Sequence, residues 1–173
     1  MTSPRKGVLL AEDDPNDVLL LRRAFEVAGL PDALVAVRDG QEAIDYLSGA
    51  GVYSDRERYP EPAVMLLDLK MPRVDGFEVL VWRNTHDRWR DLPVVVLCSS
   101  RLETDVQRAL DLGADAYRMK PTDFHYLVEV AHELGNKWLG KPRRAGFRTF
   151  GTGKRGREER RFSRVNRLKS SKV

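Results

Sequence analysis

Charged side chains directly follow apolar runs at three places in this 173-residue sequence. Glu12-Asp13-Asp14 follows Gly7 to Ala11, Asp68 follows Val64 to Leu67, and Lys120 with Pro121 follows Ala116 to Met119. Short apolar runs without alternation, bounded by breakers, read as central strands of a parallel sheet, covered on both faces. Each charged group therefore stands where a strand leaves the core, and open α/β sheets gather their chemistry at the carboxyl ends of strands. In a doubly wound sheet of order 2-1-3-4-5 the first and third strands are neighbours, which brings Glu12, Asp13 and Asp68 together. Like charges ~4 Å apart cost on the order of 4 kcal/mol per pair at an effective dielectric of about 20, so something must offset them. A hard divalent cation suits clustered carboxylate and carbonyl oxygens, and Mg2+ takes few protein ligands while keeping several waters. Lys120 adds a second positive charge from another strand. A carboxylate beside Mg2+ and an ammonium is equipped to attack a phosphoryl group, with Asp68 as the nucleophile and the two cations neutralising the phosphoryl oxygens. A single acidic residue at a strand end is more often a helix cap. The combination over three strands carries the reading.

The elements that must position these groups alternate along the chain. After the first strand, Asp14 caps a helix that begins at Pro15, carries Val18, Leu21, Phe25 and Ala28 on one stripe, and closes at Gly29. A second strand, Leu34 to Val37, leads through Asp39-Gly40 into a helix around Ala43, Ile44 and Leu47. Residues 49–62 are polar, broken by Gly and Pro, and read as a long surface loop. The strand ending at Asp68 comes next, then a helix carrying Phe77, Leu80 and Val81. A fourth strand, Val94 to Cys98, precedes a helix with Leu102, Val106, Ala109 and Leu110; a fifth, Ala116 to Met119, precedes one with Phe124, Leu127, Val128, Ala131, Leu134 and Trp138. The pattern is (βα)5, and right-handed crossovers make it an α/β fold with a doubly wound parallel five-stranded sheet.

The motifs AEDDP after the first strand, LLDLKMPRVDG around Asp68 and YRMKP at the fifth strand are those of a known family. Over residues 6–140 the sequence resembles the receiver domain of two-component response regulators. The resemblance implies a flavodoxin-like sheet of order 2-1-3-4-5 and a switch that accepts a phosphoryl group from a sensor histidine kinase. It implies Asp68 as phosphoacceptor, and Mg2+ held by Glu12, Asp13, Asp68 and the backbone carbonyl of Lys70. On the same resemblance Lys120 contacts the phosphoryl group, the Lys120-Pro121 bond is cis, and Tyr117 is an aromatic that turns inward on activation. One position departs from the family pattern. Where a Thr or Ser usually bonds the phosphoryl oxygen stands Cys98, a weaker donor, with Ser99 beside it as a substitute. Phosphorylation should survive that change, while its link to Tyr117 should weaken. The 49–62 loop and the last helix, running to Lys137-Trp138-Leu139, are also similar to stand-alone receivers that partner phytochrome-type kinases. Such proteins tend to form homodimers through the fourth and fifth helices and the last strand, where Tyr126, Val130 and Leu139 are the apolar candidates.

Charge divides the chain. Residues 1–140 hold 17 Lys and Arg against 24 Asp and Glu, a formal charge of −7; residues 141–173 hold 13 against 2, a charge of +11. The second segment has too few apolar residues to bury a core and reads as a disordered basic tail, with a weak Phe162, Val165, Leu168 spacing. It lacks a helix-turn-helix pattern, so any contact with nucleic acid would be non-specific and confined to the tail. The lone cysteine excludes an internal disulfide and fits a reducing compartment, and no run approaches a membrane span; cytoplasm is the expected location. A phosphate sink, a tail-dependent nucleic-acid-associated regulator and an Asp-nucleophile phosphohydrolase are the competing readings. The last expects an Asp two residues after the nucleophile, where this chain has Lys70. The expected class is therefore a signalling switch and not an enzyme with turnover.

Overall fold

A computed structural model of the chain describes residues 7–99, 102–120 and 123–140. Among them, strands and helices alternate as β1 (Val8–Ala11), α1 (Pro15–Val27), β2 (Leu34–Val37), α2 (Gly40–Ser48), β3 (Val64–Asp68), α3 (Gly76–Thr85), β4 (Val94–Cys98), α4 (Glu103–Asp111), β5 (Ala116–Met119) and α5 (Phe124–Trp138). All neighbouring strands pair in parallel, in the order β2-β1-β3-β4-β5, which is the expected flavodoxin-like sheet.

Period two along a strand divides each apolar run between the two faces of the sheet. Leu9, Met65, Leu67, Val94 and Val96 pack with α2, α3 and α4; Leu10, Val64, Leu66, Val95 and Leu97 pack with α1 and α5. Burying each Leu contributes about 1.5–3 kcal/mol, which is what fixes the register. Four of the five described α-helices start at aspartates, α4 being the exception. Asp14 Oδ1 accepts from the Asn16 N–H at 2.8 Å, Asp39 Oδ1 from the Glu42 N–H at 2.9 Å, and Asp75 forms a capping box with Glu78, both bonds 2.9 Å. A cap of this kind contributes ~1 kcal/mol.

Helix α3 starts almost on top of the end of β3. The Gly76 N–H donates to the Leu69 carbonyl at 3.0 Å. A Cβ at Gly76 would overlap the Asp68 carbonyl oxygen and lie 2.8 Å from the Leu69 Cα. The β3–α3 turn is held from its other side by Arg73, whose backbone is left-handed (φ 66°) and whose Nε donates to Asp39 Oδ2 at 3.0 Å.

Three sequence expectations need correction, and a fourth gains detail. The 49–62 segment is a surface segment but is well anchored. A short 3-10 turn, Gly51–Ser54, brings Tyr53 and Tyr59 against Tyr46, with ring centroids 5.0 to 6.1 Å apart. Tyr46 Oη donates to the Pro60 carbonyl at 2.8 Å, and Arg56 donates to the Tyr46 and Leu47 carbonyls at 2.9 and 2.8 Å, satisfying the open end of α2. Leu102 precedes α4 and is 59% exposed, leaving Ala109 as the buried residue of that helix. Val81 is exposed, and Val79 takes its place beside Leu80 in the core. Val130 is buried, because the stripe of α5 widens to Leu127, Val130, Ala131 and Leu134. It is therefore unavailable to a partner.

Replacing Gly76 with Ala should destabilise the protein by about 2 kcal/mol, within the usual range for overpacking. The urea midpoint should fall with the m-value unchanged; an unaltered midpoint would show that the β3–α3 contact is looser than described.

Candidate functional site

Register brings the charged groups together. Ala11 pairs with Leu67, so the residues next in line, Glu12 and Asp68, emerge side by side at the carboxyl edge. Cys98 pairs with Met119, and the Lys120 N–H continues that ladder to the Cys98 carbonyl at 2.9 Å. The Lys120 side chain then crosses the edge. Its Nζ donates to Asp68 Oδ2 at 2.7 Å, Glu12 Oε1 at 2.8 Å and Asp17 Oδ2 at 2.9 Å. All three ammonium hydrogens are engaged.

Glu12 and Asp68 are almost fully buried, at 1% and 4% exposure, whereas Asp13 stands exposed at the rim. One carboxylate oxygen from each of the three lies within 4.8 Å of the others. Glu12 Oε2 lies 2.7 Å from Lys120 Nζ, yet the angles there make no hydrogen bond, so a buried oxygen is left without a directed donor among the described residues. A buried carboxylate beside two further carboxylates is the donor set of a hard divalent cation. The residues present fit such an ion.

The electrostatics agree. Burial pushes the Glu12 carboxyl up to about 7, against the lowering pull of Lys120, with Asp68 adding repulsion. Burial alone would lower the Lys120 ammonium, but its hydrogen bonds to Asp68, Glu12 and Asp17 raise it above its ordinary value and keep it charged. Asp68 is further oriented by the Lys70 N–H, which donates to its Oδ1 at 3.2 Å, while the Lys70 side chain is exposed.

The remaining candidates sit around this centre. Cys98 is fully buried at the end of β4, and Ser99 is exposed at the following bend. Tyr117, the buried residue of β5, is turned inward; burial and then its hydrogen-bonded Cys98 neighbour push its hydroxyl above the ordinary range. The expected cis bond involves Pro121, which lies outside the described residues, as does the 141–173 tail. Sequence reasoning missed Asp17. The signal was available, since a first-turn residue of a helix that starts beside Glu12 and Asp13 faces the same edge. Its partner Lys120 lies 103 positions away, and only the fold could reveal it.

A doubly wound sheet with an acidic pocket and a lysine at its carboxyl edge defines a class of signalling domain, and comparison with known proteins identifies it. Residues 8–132 match the response regulator receiver domain. The chain belongs to that family, whose members are signalling proteins and not classical enzymes. It is 37% identical over 142 residues to the probable methanogenesis regulatory protein FilR2 of Methanothrix harundinacea, covering 80% of this chain and 87% of that one. It is 32% identical over 138 residues to response regulator Rcp1 of Synechocystis sp., covering 80% and 92%. The Mn2+-bound structure of Rcp1 superposes with a TM-score of 0.67 at 31% identity, covering 80% of this chain and 97% of that one. The bacteriophytochrome response regulator AtBRR superposes with a TM-score of 0.64 at 42% identity, covering 79% and 96%. Relatives named for phytochrome signalling thus stand among the similar solved structures. Among the described residues no helix is long and apolar enough to cross a membrane.

The raised Glu12 value would make the binding of a cation at this cluster pH-dependent. An acid whose folded pKa lies near 7, above its ordinary 4.5, penalises the metal-free fold increasingly as pH rises through that window, because the fold prefers the protonated form. A cation reverses the preference and favours the carboxylate. The rise in melting temperature on adding 10 mM Mn2+, about 2.7 kcal/mol of stabilisation when the ion is at a hundred times its Kd, should therefore be larger at pH 8 than at pH 6. Equal shifts at the two pH values would contradict a role for Glu12 in binding.

Proposed function

We propose that this protein is a single-domain response regulator that accepts a phosphoryl group on Asp68 from the histidine of a sensor kinase. The observation that carries the reading is the convergence of a buried carboxylate, a lysine 2.7 Å from it and two further carboxylates on one sheet edge. In the transfer, Asp68 Oδ forms a bond to phosphorus as the bond to the donor imidazole nitrogen breaks, and the departing imidazole takes up a proton. Asp68 is held in place by Lys70 N–H and Lys120. Lys120 carries a permanent charge to the equatorial phosphoryl oxygens, where such electrostatic stabilisation dominates phosphoryl-transfer catalysis. Glu12, Asp13, Asp68 and the Lys70 carbonyl would hold Mg2+, which would supply positive charge to offset that of the phosphoryl group.

The receiver would occupy residues 6–140, with 141–173 as an appended basic segment. Its kinase would be of the bacteriophytochrome type, since the solved structures named for that system match over most of their length. The location would be cytoplasmic. A second copy would dock on α4, β5 and α5, where Tyr126 and Leu139 remain half-buried and Val130 does not contribute.

Incubation with Mg2+ and acetyl phosphate should add one phosphoryl group to the intact mass, and Asp68→Asn should abolish it. Label retained on that variant would exclude Asp68 as acceptor. Where a hydroxyl would link the phosphoryl group to Tyr117, the Cys98 thiol is a weaker donor. Cys98→Thr should therefore enlarge the phosphorylation-induced change in Tyr117 environment, read by NMR, more than it alters the extent of phosphorylation. Identical responses in the two proteins would remove Cys98 from the switching path.

A further inference from the structure

Lys120 spends its three hydrogens on Asp68, Glu12 and Asp17, but only two of these partners belong to the cluster that fits a cation. A divalent ion held by Glu12, Asp13 and Asp68 would draw on the same carboxylates and repel the ammonium. Asp17 stands outside that set. It lies in the first turn of α1, a helix fixed by the Asp14 cap and Pro15, so its carboxylate is presented from a rigid element. Leu20, Leu21, Leu97 and Leu127 line the small pocket in which Glu12, Asp17 and Lys120 meet. Apolar walls lower the local dielectric and strengthen the pair.

We propose that Asp17 is a positioning residue that anchors the Lys120 ammonium at the site while the cation ligands are engaged elsewhere. Asp17 touches neither the acceptor oxygen nor the metal cluster; it acts through Lys120. The inference rests on Asp68 as the phosphoacceptor and extends that site by one residue on a different element. Without Asp17 the lysine would be attracted to two carboxylates whose charge the ion has taken up, and its long side chain would sample orientations away from the phosphoryl group.

The test is a double-mutant cycle in the full-length chain, with rate constants for phosphorylation by acetyl phosphate in Mn2+ read from intact mass. Asp17→Ala should slow phosphorylation about tenfold in the wild-type background and less than about twofold beside Lys120→Ala, since the two residues then act as one unit. The Mn2+ dissociation constant, titrated calorimetrically, should stay within twofold of wild type. Equal slowing in both backgrounds would overturn the proposal, as would no slowing at all, or a parallel loss of Mn2+ affinity that makes Asp17 a cation ligand. Should Lys120→Ala react too slowly to time, charge decides. Asp17→Glu must then recover most of the rate that Asp17→Asn loses, and equal rates for the two would overturn the anchor. Failure of the wild-type protein to take up any phosphoryl group would instead defeat the acceptor assignment itself.

Discussion

One ammonium holds this site together. Lys120 Nζ lies within 2.9 Å of carboxylates from the end of β1, the first turn of α1 and the end of β3. With Asp13, the edge carries four carboxylates against one lysine, more negative charge than the lysine neutralises. Each like-charge pair at contact costs on the order of 4 kcal/mol near a protein surface. A metal-free fold tolerates this because Glu12 is pushed toward its neutral form and Lys120 is held charged. The remaining imbalance is what makes the pocket receptive to a cation.

The acidic residues along this edge divide into two kinds by what their oxygens meet. Asp14, Asp39 and Asp75 accept backbone N–H groups at helix starts and are consumed by that role. Asp39 also takes the Arg73 guanidinium, and although burial alone would raise its carboxyl, the bonds from Arg73 and the Glu42 N–H hold it below its ordinary range. Glu12, Asp17 and Asp68 all meet the Lys120 ammonium, and although Asp68 and Glu12 also accept the Lys70 and Asp14 N–H groups, what they chiefly share is a side-chain cation. Caps and site alternate within a few residues because a parallel strand must hand the chain to a helix at the edge where the chemistry sits.

On the far side of Asp68, β4 and β5 present Cys98 and Tyr117 as a buried pair. Hydroxyl meets thiol in a place enclosed by core residues, so a change at one is felt by the other through packing. The α3 end of the same layer is tied by Arg83, buried at 5% exposure, whose guanidinium reaches the Leu92 carbonyl at 2.9 Å and the Gly113 carbonyl at 3.3 Å. Asn84 adds a bond to the Leu112 carbonyl at 2.8 Å. The tail end of α4 is therefore pinned, whereas its start at Leu102 has no side-chain cap.

Strands, helices, their order and the identities of Glu12, Asp68 and Lys120 were legible in the sequence, because period, breakers and strand-end position are local properties. Burial on helices was less legible: Val130 reads as surface on a narrow stripe, and Leu102 as core, until the width of the facing layer is known. The tyrosine-anchored 49–62 segment was illegible, since polar residues and breakers conceal contacts that reach back to α2. Asp17 showed its place on the first turn of α1, but not its partner. The sequence by itself determined which chemical groups stand at the ends of the strands. Only the tertiary structure decided which of them share one lysine, because that depends on the strand register and on where α1 starts across the edge, distances that no spacing along the chain encodes.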